Sequence, residues 1–174
     1  GGIDMATETI QYTVLHKDQS IEIREYNDIL LASTRIDKNN YYDSGFNRVF
    51  QYISGQNESN TKINMTSPVV SYQEGDALVT GFYVPSKYDK TTVPKPKGEV
   101  YIDTIETAVY VVITFYGAWT KENYEQHHQI LVDYISSHNY QIKSNPYTMR
   151  YNAPYIPDHQ KRNEIAYQIS NYNG

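Results

Sequence analysis

Residues 45–70 of this chain read GFNRVFQYISGQNESNTKINMTSPVV, and their pattern changes midway from helical to extended. Four apolar residues recur at the i, i+3, i+4, i+7 spacing of one helix face: Phe46, Val49, Phe50 and Ile53. Gly55 then tolerates the positive φ with which many helices end. Pro68 favours an extended conformation at Ser67 and the start of a strand. The stretch therefore predicts a helix that packs by one face and a strand that follows it.

The rest of the chain repeats this alternation of strands and helix. The first helix is expected over residues 42–54. A second begins near Thr120, a suitable N-cap, and ends at residues 138–139, where Asn139 suits the left-handed conformation. Strands are expected over residues 12–17, 21–26, 29–36, 69–72, 78–84, 99–105, 109–116, 147–151 and 164–169. The first two form a hairpin that the third extends. The two halves therefore appear as a duplicated strands–helix–strands unit.

The strand over residues 109–116 has apolar side chains on both of its faces. Val109, Val111, Ile113 and Phe115 share one face, whereas the other also carries Val112. Such a strand fits a sheet that packs against a core on one side and a helix on the other. Together with the two amphipathic helices, this predicts an α+β fold built on an antiparallel sheet.

Composition limits the classes of function. The chain has 174 residues, which suits one domain, assigned to residues 5–174 after an expression scar at residues 1–4. Its net charge of −5 argues against nucleic-acid binding, because phosphate contacts need a basic face. It has no cysteine, which excludes disulfides, iron–sulfur clusters and thiolate-ligated haem. No apolar run is long enough for a membrane span and no leader is visible, so a cytoplasmic protein is expected.

Five blocks of sequence, in order, resemble the SOUL family of haem-binding proteins. The first is IEIREY at residues 21–26, and the second is the helix–turn–KINMTSP stretch of residues 45–70. The others are FYVP with a later PKP (residues 82–96), VVITFYG (residues 111–117), and YNAP with RNEI (residues 151–165). The resemblance implies a distorted antiparallel β-barrel flanked by two long helices, similar to bacterial effector-binding domains.

The same resemblance implies that haem or another tetrapyrrole binds in an apolar groove beside the first helix. Such a site needs a flat apolar surface, cations for the propionates and, optionally, an axial ligand to iron. Phe46, Val49, Phe50 and Ile53 are the candidates for the surface. Arg48 and Lys62 are the candidates for the propionates, and Met65 could ligate iron if the fold brings it to the groove. A helix that merely packs on a core shows the same stripe, so both interpretations stay open.

The axial ligand is unknown, because this chain departs from part of the family. Some members have histidine where Glu25 stands, and a carboxylate is a poor ligand for haem iron. His127 and His128 are adjacent, so they point about 100° apart on a helix and cannot chelate together. Tight histidine-ligated haem is therefore not expected.

Three kinds of function are compatible with these residues. The first is a non-catalytic tetrapyrrole carrier, buffer or sensor. The second is a general small-molecule binder or a hydrolase that uses a pocket carboxylate, for which Glu164 is the candidate. That interpretation predicts a deep pocket and a raised carboxyl pKa. The third is a protein-interaction module, which predicts an exposed apolar patch on a helix. The sequence contains no common catalytic motif.

Overall fold

The structure, a computed structural model, describes residues 7–37 and 45–174. In these residues the first half of the chain forms β1 (Glu8–Thr9), β2 (Thr13–Asp18), β3 (Ile21–Tyr26), β4 (Ile29–Ile36), α1 (Phe46–Ile53), β5 (Thr66–Ser67), β6 (Val69–Glu74) and β7 (Ala77–Tyr83). The second half forms β8 (Val100–Ile105), β9 (Ala108–Tyr116), α2 (Lys121–Ser137), β10 (Tyr147–Arg150), a 3-10 turn (Asp158–Gln160) and β11 (Arg162–Ile169). The predicted elements are thus present, and residues 42–44 of the predicted first helix lie outside the described residues.

Nine strands of the described chain form one antiparallel sheet in the order β2-β3-β9-β11-β10-β6-β7-β4-β8. The order β9-β11-β10 on one side of the middle mirrors β4-β7-β6 on the other. In chain order, each set of three strands belongs to a unit made of a strand, a helix and a hairpin. The first unit is β4–α1–β6–β7, and the second is β9–α2–β10–β11. The expected duplication is therefore confirmed by the pairing of the strands. The sheet is curled into a half-barrel whose edges are β2 and β8, which is the form that the expected distorted barrel takes.

One predicted pairing is wrong. Residues 29–36 do not extend the β2–β3 hairpin, because β3 pairs with β9 whereas β4 pairs with β7 and β8. The chain crosses between the two halves at Asp28, whose Oδ1 accepts hydrogen bonds from the Thr107 amide (2.7 Å) and hydroxyl (3.0 Å). Thr107 lies where β8 connects to β9 and makes the same crossing. β4 is buried along most of its length. Its backbone forms hydrogen bonds with a strand on each side, β7 and β8, so it is not an edge strand.

Each helix covers the outer face of one half of the sheet. Leu131 and Ile135 of α2 pack on β3, β9 and β11. Val49, Tyr52 and Ile53 of α1 pack on strands of the other half. A third apolar cluster takes residues from both halves, and it therefore fills the inner, concave face.

The ends of both helices have local causes. Gly45 precedes α1 with φ of 79°, and a Cβ there would come within 2.5 Å of the Thr34 methyl group. At α2, the Thr120 hydroxyl accepts a hydrogen bond from the Asn123 amide (3.2 Å). Asn139 has φ of 59°, as expected for a residue that ends a helix.

Candidate functional site

The predicted apolar stripe of α1 is divided between core and surface. Val49 and Ile53 are buried against the sheet, as the core interpretation predicted. Phe46 and Phe50 are 38% and 45% exposed, and their rings lie 6.0 Å apart at an interplanar angle of only 14°. The Phe46 ring also lies 5.3 Å from the ring of Phe82 on β7. These two nearly parallel rings give the protein an exposed aromatic surface beside the helix.

Arg48 lies on the opposite flank of α1. It is two positions from Phe50, and residues at this spacing do not face each other on a helix. Its Nη2 lies 3.1 Å from Glu99 Oε2, and its Nη1 donates to the Arg35 carbonyl (3.2 Å). It borders a surface cleft of about 530 Å³ that also contains Gln51 and Lys97. The structure therefore does not bring Arg48 together with the exposed phenylalanines.

Lys62 and Met65 lie in the segment that follows α1. The segment is attached to the end of the helix through Ile63, whose amide donates to the Ile53 carbonyl (2.8 Å) and whose side chain is buried. Lys62 is exposed and forms no ion pair within the described parts of the chain. Met65 is 39% exposed. Both side chains thus remain accessible on either side of a buried anchor.

Glu25, at the position of the family histidine, lies in a different part of the molecule. It is in register with Thr13 on β2 and Val109 on β9. Because side chains alternate along a strand, it shares the outer face of β3 with Ile21 and Ile23, which belong to the cluster under α2. A histidine here would face the α2 side of the sheet, whereas Phe46 and Phe50 lie on the α1 side.

The histidines of α2 have structural partners. His127 Nδ1 lies 2.7 Å from the Asn123 carbonyl, and its ring stacks on Phe115 at 4.2 Å. His128 Nε2 lies 2.6 Å from the Tyr167 hydroxyl. In residues 7–37 and 45–174, no three His, Cys, Asp or Glu side chains are arranged to hold a metal ion.

Glu164 is completely buried on the inner face, where it pairs with Arg24. Arg24 Nη1 and Nη2 each lie 2.8 Å from one carboxylate oxygen, which is a bidentate pair. Arg162, Thr114 and Tyr151 donate three further hydrogen bonds of 2.6–2.9 Å. The two residues are 140 positions apart in sequence, and Arg24 was not among the predicted site residues. The one signal for it in the sequence is an arginine that alternates with isoleucines in a half-buried strand.

The protonation of Glu164 follows from these contacts. Burial alone would raise the pKa of Glu164, but the hydrogen bond and charge of Arg24, aided by Arg162 and Thr114, hold it below its ordinary value. Burial would lower the pKa of Arg24, yet the contact with Glu164 raises it above its ordinary range. Glu164 is therefore a charged, fully hydrogen-bonded carboxylate. It does not have the raised pKa that the hydrolase interpretation predicted for it.

Comparison with known proteins identifies the family. The sequence model described as SOUL heme-binding protein matches residues 7–168, nearly the whole chain. The chain belongs to the SOUL family. Among curated relatives, it is 34% identical over 104 residues to human (Homo sapiens) "Heme-binding protein 2", covering 53% of this chain and 50% of that protein. The chain therefore spans about half the length of the curated relatives it matches.

Solved structures confirm the fold that the SOUL resemblance implied. The C-terminal domain of EcmrR is similar with a TM-score of 0.67 and 12% identity, covering 92% of this chain and 99% of that one. A hydrolase from Listeria innocua is similar with a TM-score of 0.61 and 8% identity, covering 90% and 94%. At such identities the likeness concerns the fold alone.

Membership of the SOUL family supports haem as a ligand. The structure contains, within its described residues, no helix that is both long and apolar enough to cross a membrane. The cytoplasmic location, the absence of nucleic-acid binding and the single-domain assignment stay predictions.

Proposed function

We propose that this protein binds haem or a related tetrapyrrole on the Phe46/Phe50 flank of α1 and acts as a non-catalytic carrier, buffer or sensor. One observation carries the proposal. On a helix whose neighbouring apolar residues are buried, Phe46 and Phe50 keep two nearly parallel rings exposed to solvent. A porphyrin is a flat apolar surface, and stacking on aromatic rings is favourable for such a surface. The name of the curated relatives, "Heme-binding protein 2", supports the same ligand.

We assign the polar parts of the ligand to the segment that follows α1, which is attached to the end of the helix through Ile63. Lys62 is an exposed cation without an ion pair in the described chain, so it would hold a propionate. Met65 would offer a thioether to the iron, which is an accepted haem ligand. Arg48 is left out, because it faces the cleft on the other flank and already pairs with Glu99. When bound, haem supplies an iron centre, and the chain's part is to hold it and limit access of water to it.

Haem titration tests this proposal. We expect a Soret shift that saturates near one equivalent of haem. Phe50→Ala should weaken binding about tenfold, or ~1.4 kcal/mol, because it removes one of the two rings. The control is Tyr155→Ala, which removes an equally large but remote exposed ring and should leave affinity unchanged. A titration without saturation, or equal affinities of Phe50→Ala and the wild type, would contradict the proposal.

A second variant tests the location. Glu25→His restores the family histidine, but this position lies on the α2 side of the sheet. We expect its haem spectrum to equal that of the wild type. A six-coordinate low-spin spectrum in Glu25→His alone would place the macrocycle near β3 and overturn the α1 site.

A further inference from the structure

The two edge strands of the sheet, β2 and β8, differ in how their free edges are protected. A free edge presents unpaired amides and carbonyls that can pair with a strand of another chain. On β2 the pairing with β3 shifts register between Val14 and His16, and Lys17 adds a charge. A bulge and a lysine are both common protections of an edge. On β8 the pairing with β4 runs without a shift from Val100 to Ile105, and the strand contains neither lysine nor proline. The edge of β8 is therefore regular and unprotected.

The backbone groups at this free edge belong to alternate residues of β8. Leu30 of β4 lies opposite Thr104, but its carbonyl accepts a hydrogen bond from the amide of Val84 (2.9 Å), on the side of β7. The Thr104 amide donates to the Asp103 side chain instead (2.9 Å). Because the pairing side alternates along an antiparallel strand, three residues turn their amide and carbonyl to the free edge: Val100, Ile102 and Thr104. Within residues 7–37 and 45–174, no strand pairs with them there.

The side chains of β8 suit a further strand as neighbour. Its sequence is VYIDTI, in which every residue except Asp103 is β-branched or aromatic and therefore favours a strand. Asp103 carries the one charge of β8, and no Lys or Arg of the described chain pairs with it. The Tyr101 hydroxyl has no hydrogen-bond partner among the described residues either. A strand that places no negative charge opposite Asp103 would therefore fit this edge.

A second copy of β8 meets this requirement in one antiparallel register, with Ile102 opposite Ile102 of the second copy. Val100 then lies opposite Thr104, so the edge-facing residues can exchange their amide and carbonyl hydrogen bonds. Tyr101 lies opposite Asp103, so the charge of each strand faces a phenol that is neutral at pH 7. Every residue of β8 that faces the free edge thus gains a partner.

Charge excludes the neighbouring registers. If the second strand slides by two residues in one direction, Asp103 lies opposite Asp103 of the second copy. In the other direction Asp103 lies opposite Glu99, which immediately precedes the strand. Like charges directly opposite each other destabilise a pair of strands. The register centred on Ile102 is therefore the one that β8 favours for pairing with itself.

We propose that β8 is a dimerisation edge, at which two copies of this chain pair their β8 strands antiparallel around a two-fold axis at Ile102. Such an interface uses the same surface of both copies, as is usual for homodimers. The proposal does not depend on the haem site proposed on α1.

Analytical ultracentrifugation over a series of protein concentrations tests the proposal. We expect the wild type to pass from monomer to dimer as the concentration rises, because one pair of strands forms a small interface. Ile102→Lys should weaken dimerisation at least about tenfold, since it places two like charges opposite each other at the axis. Ile102→Glu should do the same. An equimolar mixture of the two variants should form the dimer again, because lysine then faces glutamate.

Hydrogen exchange of the wild type gives a second measurement that needs no variant. The amides of Ile102 and Thr104 should exchange more slowly at concentrations where the dimer forms, because they then donate to the second copy. Unchanged exchange of both amides in the dimer would show that another surface is used, and it would overturn the proposal.

Leu15→Lys is the matched control, because it adds the same charge at an exposed position of the other edge strand, β2. It should dimerise like the wild type. Three results would overturn the proposal: a wild type that stays monomeric up to millimolar concentration, a Leu15→Lys variant that loses the dimer as fully as Ile102→Lys, or a mixture of folded Ile102→Lys and Ile102→Glu that stays monomeric. Circular dichroism shows whether each variant is folded.

Discussion

The carboxylate of Glu164 accepts five hydrogen bonds in a position from which water is excluded. An isolated charge there would be strongly unfavourable, and it is tolerated because Arg24 and Arg162 supply opposite charge and correct geometry. Arg24 is also buried, and its guanidinium lies 4.0 Å from the ring centre of Tyr12 while donating to the Tyr26 hydroxyl (2.8 Å). Each charged residue of this group therefore depends on the others.

The first prediction concerns this pair. Glu164→Gln removes the fully buried counter-charge of Arg24 and leaves the guanidinium only its partly exposed partner Glu22 (2.8 Å), and the expected loss is up to about 3–5 kcal/mol of unfolding free energy. Urea unfolding followed by circular dichroism measures it. The matched control is Glu74→Gln, whose partner Arg35 is about half exposed, with an expected cost of about 0–1 kcal/mol. Equal losses of unfolding free energy in the two variants would contradict the prediction, because they would show that burial does not make the Arg24–Glu164 pair more costly to break.

At the scale of the elements, α1 and α2 differ in which of their side chains are buried and which are exposed. The short helix α1 buries Val49, Tyr52 and Ile53 and keeps Phe46 and Phe50 accessible. The longer α2 places Leu131 and Ile135 in the core. The Thr120 side chain accepts a hydrogen bond from a backbone amide of its first turn, which also carries Glu122. Periodicity predicted both helices. It did not predict which flank of α1 stays exposed, because the flank is decided by where β7 and β8 lie beneath the helix.

The cap of α2 supplies a prediction at this scale. In Thr120→Ala the Asn123 amide loses its acceptor at the start of the helix, and the expected cost is about 1 kcal/mol. Thermal or urea unfolding measures it. Thr120→Ser keeps a hydroxyl in place and should cost much less. If Thr120→Ser is as unstable as Thr120→Ala, the hydrogen bond is not the cause.

At the scale of the whole molecule, two similar units meet between β10 and β6 and share one inner cluster. Each unit covers its own outer face with its own helix. The inner face is built by both units together, and it holds the buried ion pair and a cluster of tyrosines. The inner face therefore exists only when the two units are assembled.

Acid should weaken this assembly through Glu164. Its pKa is lower in the folded protein than in the unfolded chain, so its contribution is complete above the ordinary glutamate pKa of about 4.3 and is lost as the pH falls through the lower folded value. The difference in unfolding free energy between the wild type and Glu164→Gln should be constant from about pH 7 to pH 5 and should shrink below about pH 4. Urea titrations at several pH values measure it. A difference that stays constant down to about pH 2 would contradict the assignment.

The sequence by itself determined the elements and the family. Periodic apolar residues, the Thr120 cap and the Asn139 stop are local features, and the physics of a helix end acts within a few residues. The ordered motifs between residues 21 and 165 identified the SOUL family, and with it the α+β fold, before any tertiary contact was known. The candidate residues Phe46 and Phe50 came from the same periodicity.

Only the tertiary structure decided which distant residues meet. Arg24 pairs with Glu164 because β3 and β11 both border β9. Asp103 of β8 comes within 3.5 Å of the Tyr72 hydroxyl on β6, although β4 and β7 lie between these strands, because the sheet curls. Glu25 is separated from the exposed phenylalanines by the order of the strands, whereas Arg48 is separated from them by its position on another flank of α1. Local sequence patterns determine which side chains share a face of one element, whereas the order of strands in the curled sheet determines what each face contacts.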